Sequence, residues 1–256
     1  VIEADNPVLP LSLRNVEKDV KIESGAVVRY APAENAPAIL NWLARVEEQQ
    51  DRDYGGGEKH KGPHDQARDY ESVFKAYGKE VKGKIEKSTL PTMHESQQAE
   101  VIGIPVKKGF NVIEFESKIL GTRILDRSTP LYTSSAVLVT DLGVHFKWGQ
   151  AGQSMVWVTS LKSGKPVSGV DIRVEDCGGK SLASGKTRDD GTFAIEKLPT
   201  DNDLERSGCN YSSSFRSTKI VVLAHKDDDF SFVLDRWQEG LESWRFNVGS
   251  SYYHSS

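Results

Sequence analysis

The chain has 256 residues, of which 37% are hydrophobic and 27% charged, and its net charge at neutral pH is -4. That balance describes a soluble globular protein, and the length suits two domains of ordinary size. There is no basic stripe to hold nucleic acid, and no apolar run approaches the roughly 18 residues of a membrane span.

The first residues, VIEADNPVLPLSL, have neither a basic n-region nor an apolar h-region, so they do not read as a signal peptide. The chain lacks an initiator Met and reads as excised from something larger. Next, PAENAPAILNWLARVEEQQ carries Ile39, Trp42, Leu43 and Val46 on one helical stripe, which predicts a helix around 36–50. Asn35 stands as its N-cap, and Pro37 is tolerated in the first turn. The stripe reads as core packing. Residues 51–68, DRDYGGGEKHKGPHDQAR, are glycine-rich and charged and read as a mobile surface loop. Tyr70, Val73, Phe74 and Tyr77 repeat the helical spacing, with Gly78 placed as a C-cap. VIGIPVKKGFNVIEFES then alternates as strands around the turn KKG.

From about Ser134 the pattern is strands only: SSAVLVT, VHFKWG, SMVWVTSL, VDIRVED, LASGKT, TFAIEK, KIVVLAHK and FSFVLDR. Short strands with no helices between them predict an antiparallel sandwich of immunoglobulin-like type. Within it, VSGVDIRVEDCGGKSLASGKTRDDGTFAIEK (167–197) reads as two neighbouring strands and their turns. Val170, Ile172 and Val174 point one way, while Asp171, Arg173 and Glu175 point the other.

Candidate chemistry is sparse. His60 and His64 lie four residues apart beside Asp65, but Gly62 and Pro63 intervene, so they read as loop histidines without a third ligand. His145 sits in a strand. His225 precedes KDDDF, whose three aspartates lack calcium-loop spacing and read as a charged hairpin turn. Asp189 and Asp190 precede Gly191 in what reads as a tight hairpin turn. No nucleophile elbow, phosphate loop or dinucleotide fingerprint is present, which predicts no enzyme activity, no catalytic residue, no metal site and no cofactor. Trp148, Trp157, Trp237 and Trp244 could instead stack on sugar rings. A carbohydrate-binding or adhesion module is therefore the rival reading.

TSSAVLVTDLGVHFKWG (133–149), followed by VWVTSLKSGKPVSGVDIRVEDCGGKSLASGKTRDDGTF, resembles the macroglobulin-like domains of bacterial α2-macroglobulins. SGKPVSGVDIRV resembles a strand–turn–strand piece that recurs in those domains. NVEKDVKIESGAVVRYAPAENAPAILNWLARV and GFNVIEFES look like the preceding domain, and GLESWRFNVGSSYYHSS like a linker to the next.

The resemblance implies a mainly β chain of two tandem immunoglobulin-like antiparallel β-sandwiches. These are residues 1–130, with a helical insertion and a mobile polar loop, and residues 131–250. It implies a structural segment of a periplasmic, broad-range protease trap that is lipid-anchored to the inner membrane. Its partners would be neighbouring domains of the same chain and, through the whole protein, target proteases; the segment itself would touch no membrane. Many such traps carry a C-x-E-Q thioester, whereas the cysteines here stand in CGGK (Cys177) and CNYS (Cys209), so no thioester falls in this segment. Both cysteines lie in turn-like polar stretches, and the implied compartment is oxidising, which predicts a Cys177–Cys209 disulfide.

Overall fold

The computed structural model describes residues 1–5, 7–14, 35–54, 72–74, 99–117, 130–149, 153–206, 208–209, 218–235 and 237. In chain order these form β1 (Ile2–Glu3), β2 (Val8–Arg14), α1 (Ala36–Tyr54), β3 (Ala99–Pro105) and β4 (Gly109–Ser117). Then come β5 (Leu131–Thr140), β6 (Leu142–Lys147), β7 (Ser154–Ser160), β8 (Asp171–Asp176), β9 (Ser181–Lys186) and β10 (Thr192–Ile195). A short helix, α2 (Asp201–Arg206), precedes β11 (Ile220–Lys226) and β12 (Asp229–Leu234). The chain is mainly β and its described sheets are built almost wholly from antiparallel pairs, as immunoglobulin-like sandwiches require; among the described strands only β1 runs parallel to its neighbour, β5.

Residues 142–235 make one sandwich. A three-stranded sheet in the order β10-β7-β6 faces a four-stranded sheet in the order β12-β11-β8-β9. Strand alternation fills the space between them: Val156, Val158 and Ile195 from one sheet meet Ile172, Val174, Ile220, Val222 and Ala224 from the other. The stretch 167–197 supplies three strands. β8 and β9 pair as a hairpin, but the run with Phe193 and Ile195 becomes β10 and crosses to the facing sheet. The DDG turn therefore joins two sheets rather than closing a hairpin. Gly191 is required at that crossing, because its φ is +76° and a Cβ would stand 2.5 Å from the Val158 carbonyl oxygen. That same contact geometry lets Val158 N–H donate to the Gly191 carbonyl at 2.9 Å.

The strand-only expectation for this half missed α2. Thr200 and Asp203 form a reciprocal cap at its start: Thr200 N–H and Oγ1 both donate to the Asp203 carboxylate, at 3.1 and 2.7 Å.

A second group of strands packs beside the sandwich. A three-stranded sheet, β1-β5-β4, lies against the pair β2-β3, and Ile104, Val106, Ile113, Val137 and Val139 form the core between them. β3 and β4 sit in different sheets, so the KKG turn is a corner between them. β4 and β5 pair over nine residues, from Gly109↔Val139 to Ser117↔Leu131. The division expected at 130/131 thus falls inside a hairpin. The change of sheet comes ten residues later, at Asp141, because the register ties residues 131–140 to 109–117.

Helix α1 lies between these two groups. Asn35 caps it through Oδ1, which accepts Ala38 N–H at 3.0 Å. Its stripe of Ile39, Trp42, Leu43 and Val46 is buried against Phe110, Val112 and Leu138 on one side. On the other side it meets Val221, Leu223, Phe230, Phe232 and Leu234. The four-stranded sheet is therefore covered on both faces, by its partner sheet and by the helix. At about 1.5–3 kcal/mol for each large side chain fully buried, the stripe contributes several kcal/mol toward holding the two groups together.

The helix runs on through residues 51–54 into the stretch expected to be a loop; 55–68 lie outside the described residues. So do Tyr70, Tyr77 and Gly78. Of the helix expected around them, residues 72–74 are described, and there the backbone turns, with Val73 and Phe74 buried against α1. Phe74 packs on Trp42 at 5.5 Å between ring centroids.

Candidate functional site

The residues singled out for chemistry do not converge. His60, His64 and Asp65 lie outside the described residues. His145 stands on the outer face of β6 beside Trp157, 5.3 Å between rings, and is exposed. His225 is exposed on β11 across from Phe230. KDDDF is a two-residue hairpin connection, since Lys226 pairs with Asp229 and Asp227 takes the positive φ of 55°. Among the described residues no group of three His, Cys, Asp or Glu side chains could hold a metal ion. No described helix is long and apolar enough to cross a membrane.

The tryptophans likewise fail to form one platform. Trp148 is half-buried against the sandwich core, while Trp157 is 38% exposed with its indole N–H donated to the Asp190 carbonyl at 3.2 Å. Trp237 lies elsewhere, 5.4 Å from Phe232, and Trp244 is outside the described residues.

What the polar residues do form is a set of locks. Cys177 and Cys209 are joined, with an S–S distance of 2.11 Å and 5.7 Å between Cα atoms. The bond ties the β8–β9 turn to the segment after α2. Asp176 shapes that turn: its Oδ1 accepts the N–H groups of Gly178 and Lys180, both at 2.9 Å. Close by, the buried Lys219 ammonium reaches two carboxylates of α2, Asp201 at 2.5 Å and Glu205 at 2.7 Å. Burial lowers the lysine's proton affinity, but the hydrogen bonds to Asp201 and Glu205 outweigh it, and the net shift is upward. Lys219 is therefore held as a cation. A Lys–Asp–Glu trio can in principle condense to an amide only through a neutral amine, so this one is an ionic clamp rather than a nucleophile.

A second lock holds the corner where the chain changes sheets. Asp229 accepts Thr140 Oγ1–H at 2.7 Å and Asp141 N–H at 2.9 Å. Leu142 N–H donates to Thr140 Oγ1 at 3.0 Å, and Lys162 N–H to Asp141 Oδ1 at 2.8 Å. Of the three aspartates in the KDDDF hairpin turn, Asp229 is thus spent on the joint between β5 and β6.

The third lock is the helix seat. Glu175 is buried, and its Oε2 accepts Ala36 N–H at 3.0 Å, placing a negative charge at the positive end of α1. On the other side Glu114 is buried and accepts Ser72 Oγ–H and Val73 N–H, each at 2.6 Å. Burial raises the Glu114 pKa, partly offset by its hydrogen bonds from Ser72, Val73 and Gln49. Sequence reading missed Lys219, Asp229, Glu175 and Glu114, because each reaches a partner distant along the chain. Only the Thr200-x-x-Asp203 cap left a local signal, pointing to the helix that carries the clamp's carboxylates.

Set beside known proteins, residues 139–253 match the family described as the bacterial alpha-2-macroglobulin MG3 domain. Alpha-2-macroglobulin of Rickettsia conorii is 27% identical over 116 residues, 45% of this chain, and that of Pasteurella multocida is 24% identical over 128 residues, 50% of this chain. The chain spans 6% of the length of each of these relatives. Two crystal structures of Escherichia coli alpha-2-macroglobulin are also similar. The one spanning domains NIE-MG1 has a TM-score of 0.48 and 11% identity, covering 92% of this chain and 94% of its own. The one spanning MG0-NIE-MG1 has a TM-score of 0.44 and 13% identity, covering 90% of this chain and 59% of its own.

Proposed function

We propose that this chain is a segment of a bacterial alpha-2-macroglobulin and serves there as a rigid spacer in a protease-trapping inhibitor. The observation that carries this is the way the polar residues are spent. The buried polar groups at the three locks, Asp229 between β5 and β6, Glu175 and Glu114 at α1, and Lys219 at α2, all bind structure to structure. None faces a cleft with a second group placed to move a proton or attack a substrate. Such a segment catalyses nothing. It holds neighbouring domains of the whole protein at fixed separations while a target protease is captured elsewhere in the molecule.

The reading extends to a periplasmic protein, lipid-anchored to the inner membrane, in which this segment itself touches no lipid. A Cys177–Cys209 bridge suits an oxidising compartment.

The test is to incubate the purified chain with several unrelated proteases and follow their activity on a large and a small substrate. Both activities are expected to stay unchanged, with no protease adduct surviving denaturation. Protection that depends on substrate size would place trapping in this segment and end the spacer reading.

A further inference from the structure

In β7 the residues Met155, Val156, Trp157 and Val158 follow one another without the polar alternate that a solvated face calls for. Val156 and Val158 fill the sandwich core, whereas Met155 and Trp157 stand 44% and 38% exposed on the outer face. β11 has the same uninterrupted apolar character, and there α1 covers the second face. Among the described residues β7 has no such cover. Leu161, 44% exposed, extends the stripe past the end of β7 and rests on β6 at Gly143, where an added Cβ would stand 3.0 Å from its Cδ2. Trp157 is held in place, its indole N–H donated to the Asp190 carbonyl and the His145 ring 5.3 Å away. An aromatic side chain fixed in advance loses little rotamer freedom on docking, and tryptophan and methionine are side chains that interface cores favour.

We propose that the stripe Met155–Trp157–Leu161 is the seat of another domain of the same parent protein. Its size selects a tethered partner. Three partly exposed side chains with His145 beside them offer on the order of 300 Å², against the roughly 800 Å² per partner that free molecules need for a stable interface. A second copy of the chain is therefore poorly served by this face. Interdomain faces within one chain start at about 600 Å² in total, half from each side, which the stripe matches. Tethering holds such a partner at an effective concentration on the order of millimolar, so a small contact is enough. The chain spans 6% of the length of its alpha-2-macroglobulin relatives, and a parent of that size has many further domains to offer. The inference rests on the reading of this chain as a segment of such a protein and adds which face of the spacer is engaged.

The experiment compares the 256-residue chain with the whole parent protein. Both are treated with dilute hydrogen peroxide, and sulfoxide formation at Met155 is followed by peptide mass spectrometry, since the thioether oxidises according to its exposure. Met155 is expected to oxidise several-fold more slowly in the whole protein. Trp157→Lys in the whole protein should return it to the rate of the 256-residue chain. Because Trp157 also braces the turn at Asp190, Leu161→Lys serves as a second variant outside the strand and should do the same. Each variant is checked in the 256-residue chain for an unchanged far-UV circular dichroism spectrum. Equal oxidation rates in the two wild-type proteins would overturn the proposal, as would protection that survives both substitutions. Protection that appears in the 256-residue chain alone as its concentration rises would assign the face to a second copy and overturn it equally. Failure of the spacer reading in the protease assay would leave this measurement untouched, because it asks only whether another part of the parent lies on the stripe.

Discussion

Replacing Ile39 by alanine tests whether α1 joins the two groups of strands or merely rests on them. Ile39 is 0% exposed and sits in the cluster that mixes side chains of α1, β4, β5, β11 and β12. The substitution removes three carbons from a site with close neighbours on both sides, so the cavity can collapse little. Large-to-small changes of this kind cost about 2–5 kcal/mol, while alanine's better helix propensity returns only a few tenths. A loss of about 3 kcal/mol is expected. The assay is urea unfolding followed by both far-UV circular dichroism and tryptophan fluorescence, with Trp42 reporting from inside the cluster. Both probes should shift together with the slope unchanged, because the cluster shares residues from 110–138 and 221–234. Asn41→Ala, on the exposed side of the same helix, should change stability by less than about 0.5 kcal/mol. A loss below about 1 kcal/mol for Ile39→Ala, or a transition that splits with only one probe moving, would refute the bridging role.

Other consequences can be checked separately. Thiol titration of the unreduced, denatured chain should find no free thiol, and reduction should cost roughly 3–4 kcal/mol for a loop of 32-residue separation in the chain-entropy model; two titratable thiols would end the idea. Because burial raises the Glu114 pKa, the folded state takes up its proton before the unfolded state does. Its charge therefore costs stability at neutral pH, and that cost is relieved as pH falls through the raised folded pKa toward the ordinary carboxylate value. Denaturation midpoints at pH 7, 6 and 5 should show this gain in the wild type relative to Glu114→Gln, and parallel profiles would contradict it. Gly191→Ala should destabilise by about 2 kcal/mol or more, from the left-handed backbone and the approach to Val158; a thermal midpoint unchanged from wild type would show that the crossing relaxes freely.

The strands from Ser134 onward and the helix at 36–50 were legible because their signals are local. Alternation at Val170, Ile172 and Val174 and the stripe at Ile39, Trp42, Leu43 and Val46 each declare which face is buried. Which strand pairs with which is a long-range matter. Hence the DDG turn reads as a hairpin when it is a corner between sheets, and the division was placed at 130/131, inside the β4–β5 hairpin. One long-range feature did have a local trace. Ile220, Val221, Val222, Leu223 and Ala224 are apolar without interruption, as in a strand with no solvent face, and α1 supplies the second cover. The polar locks left less, since a Glu175 that seats a helix 139 residues away looks like any outward glutamate in an alternating strand.

That double cover bears on how the protein can be taken apart. A fragment beginning at residue 139 would satisfy the family match and keep the disulfide and every strand of the sandwich. It would nonetheless bare Val221, Leu223, Phe230, Phe232 and Leu234 on one continuous wall, the kind of contiguous oily surface that drives self-association in water. During synthesis the order is favourable, since the helix leaves the ribosome long before β11 and β12 and is waiting when they arrive. Detached from residues 36–46, the same strands would meet each other's copies first.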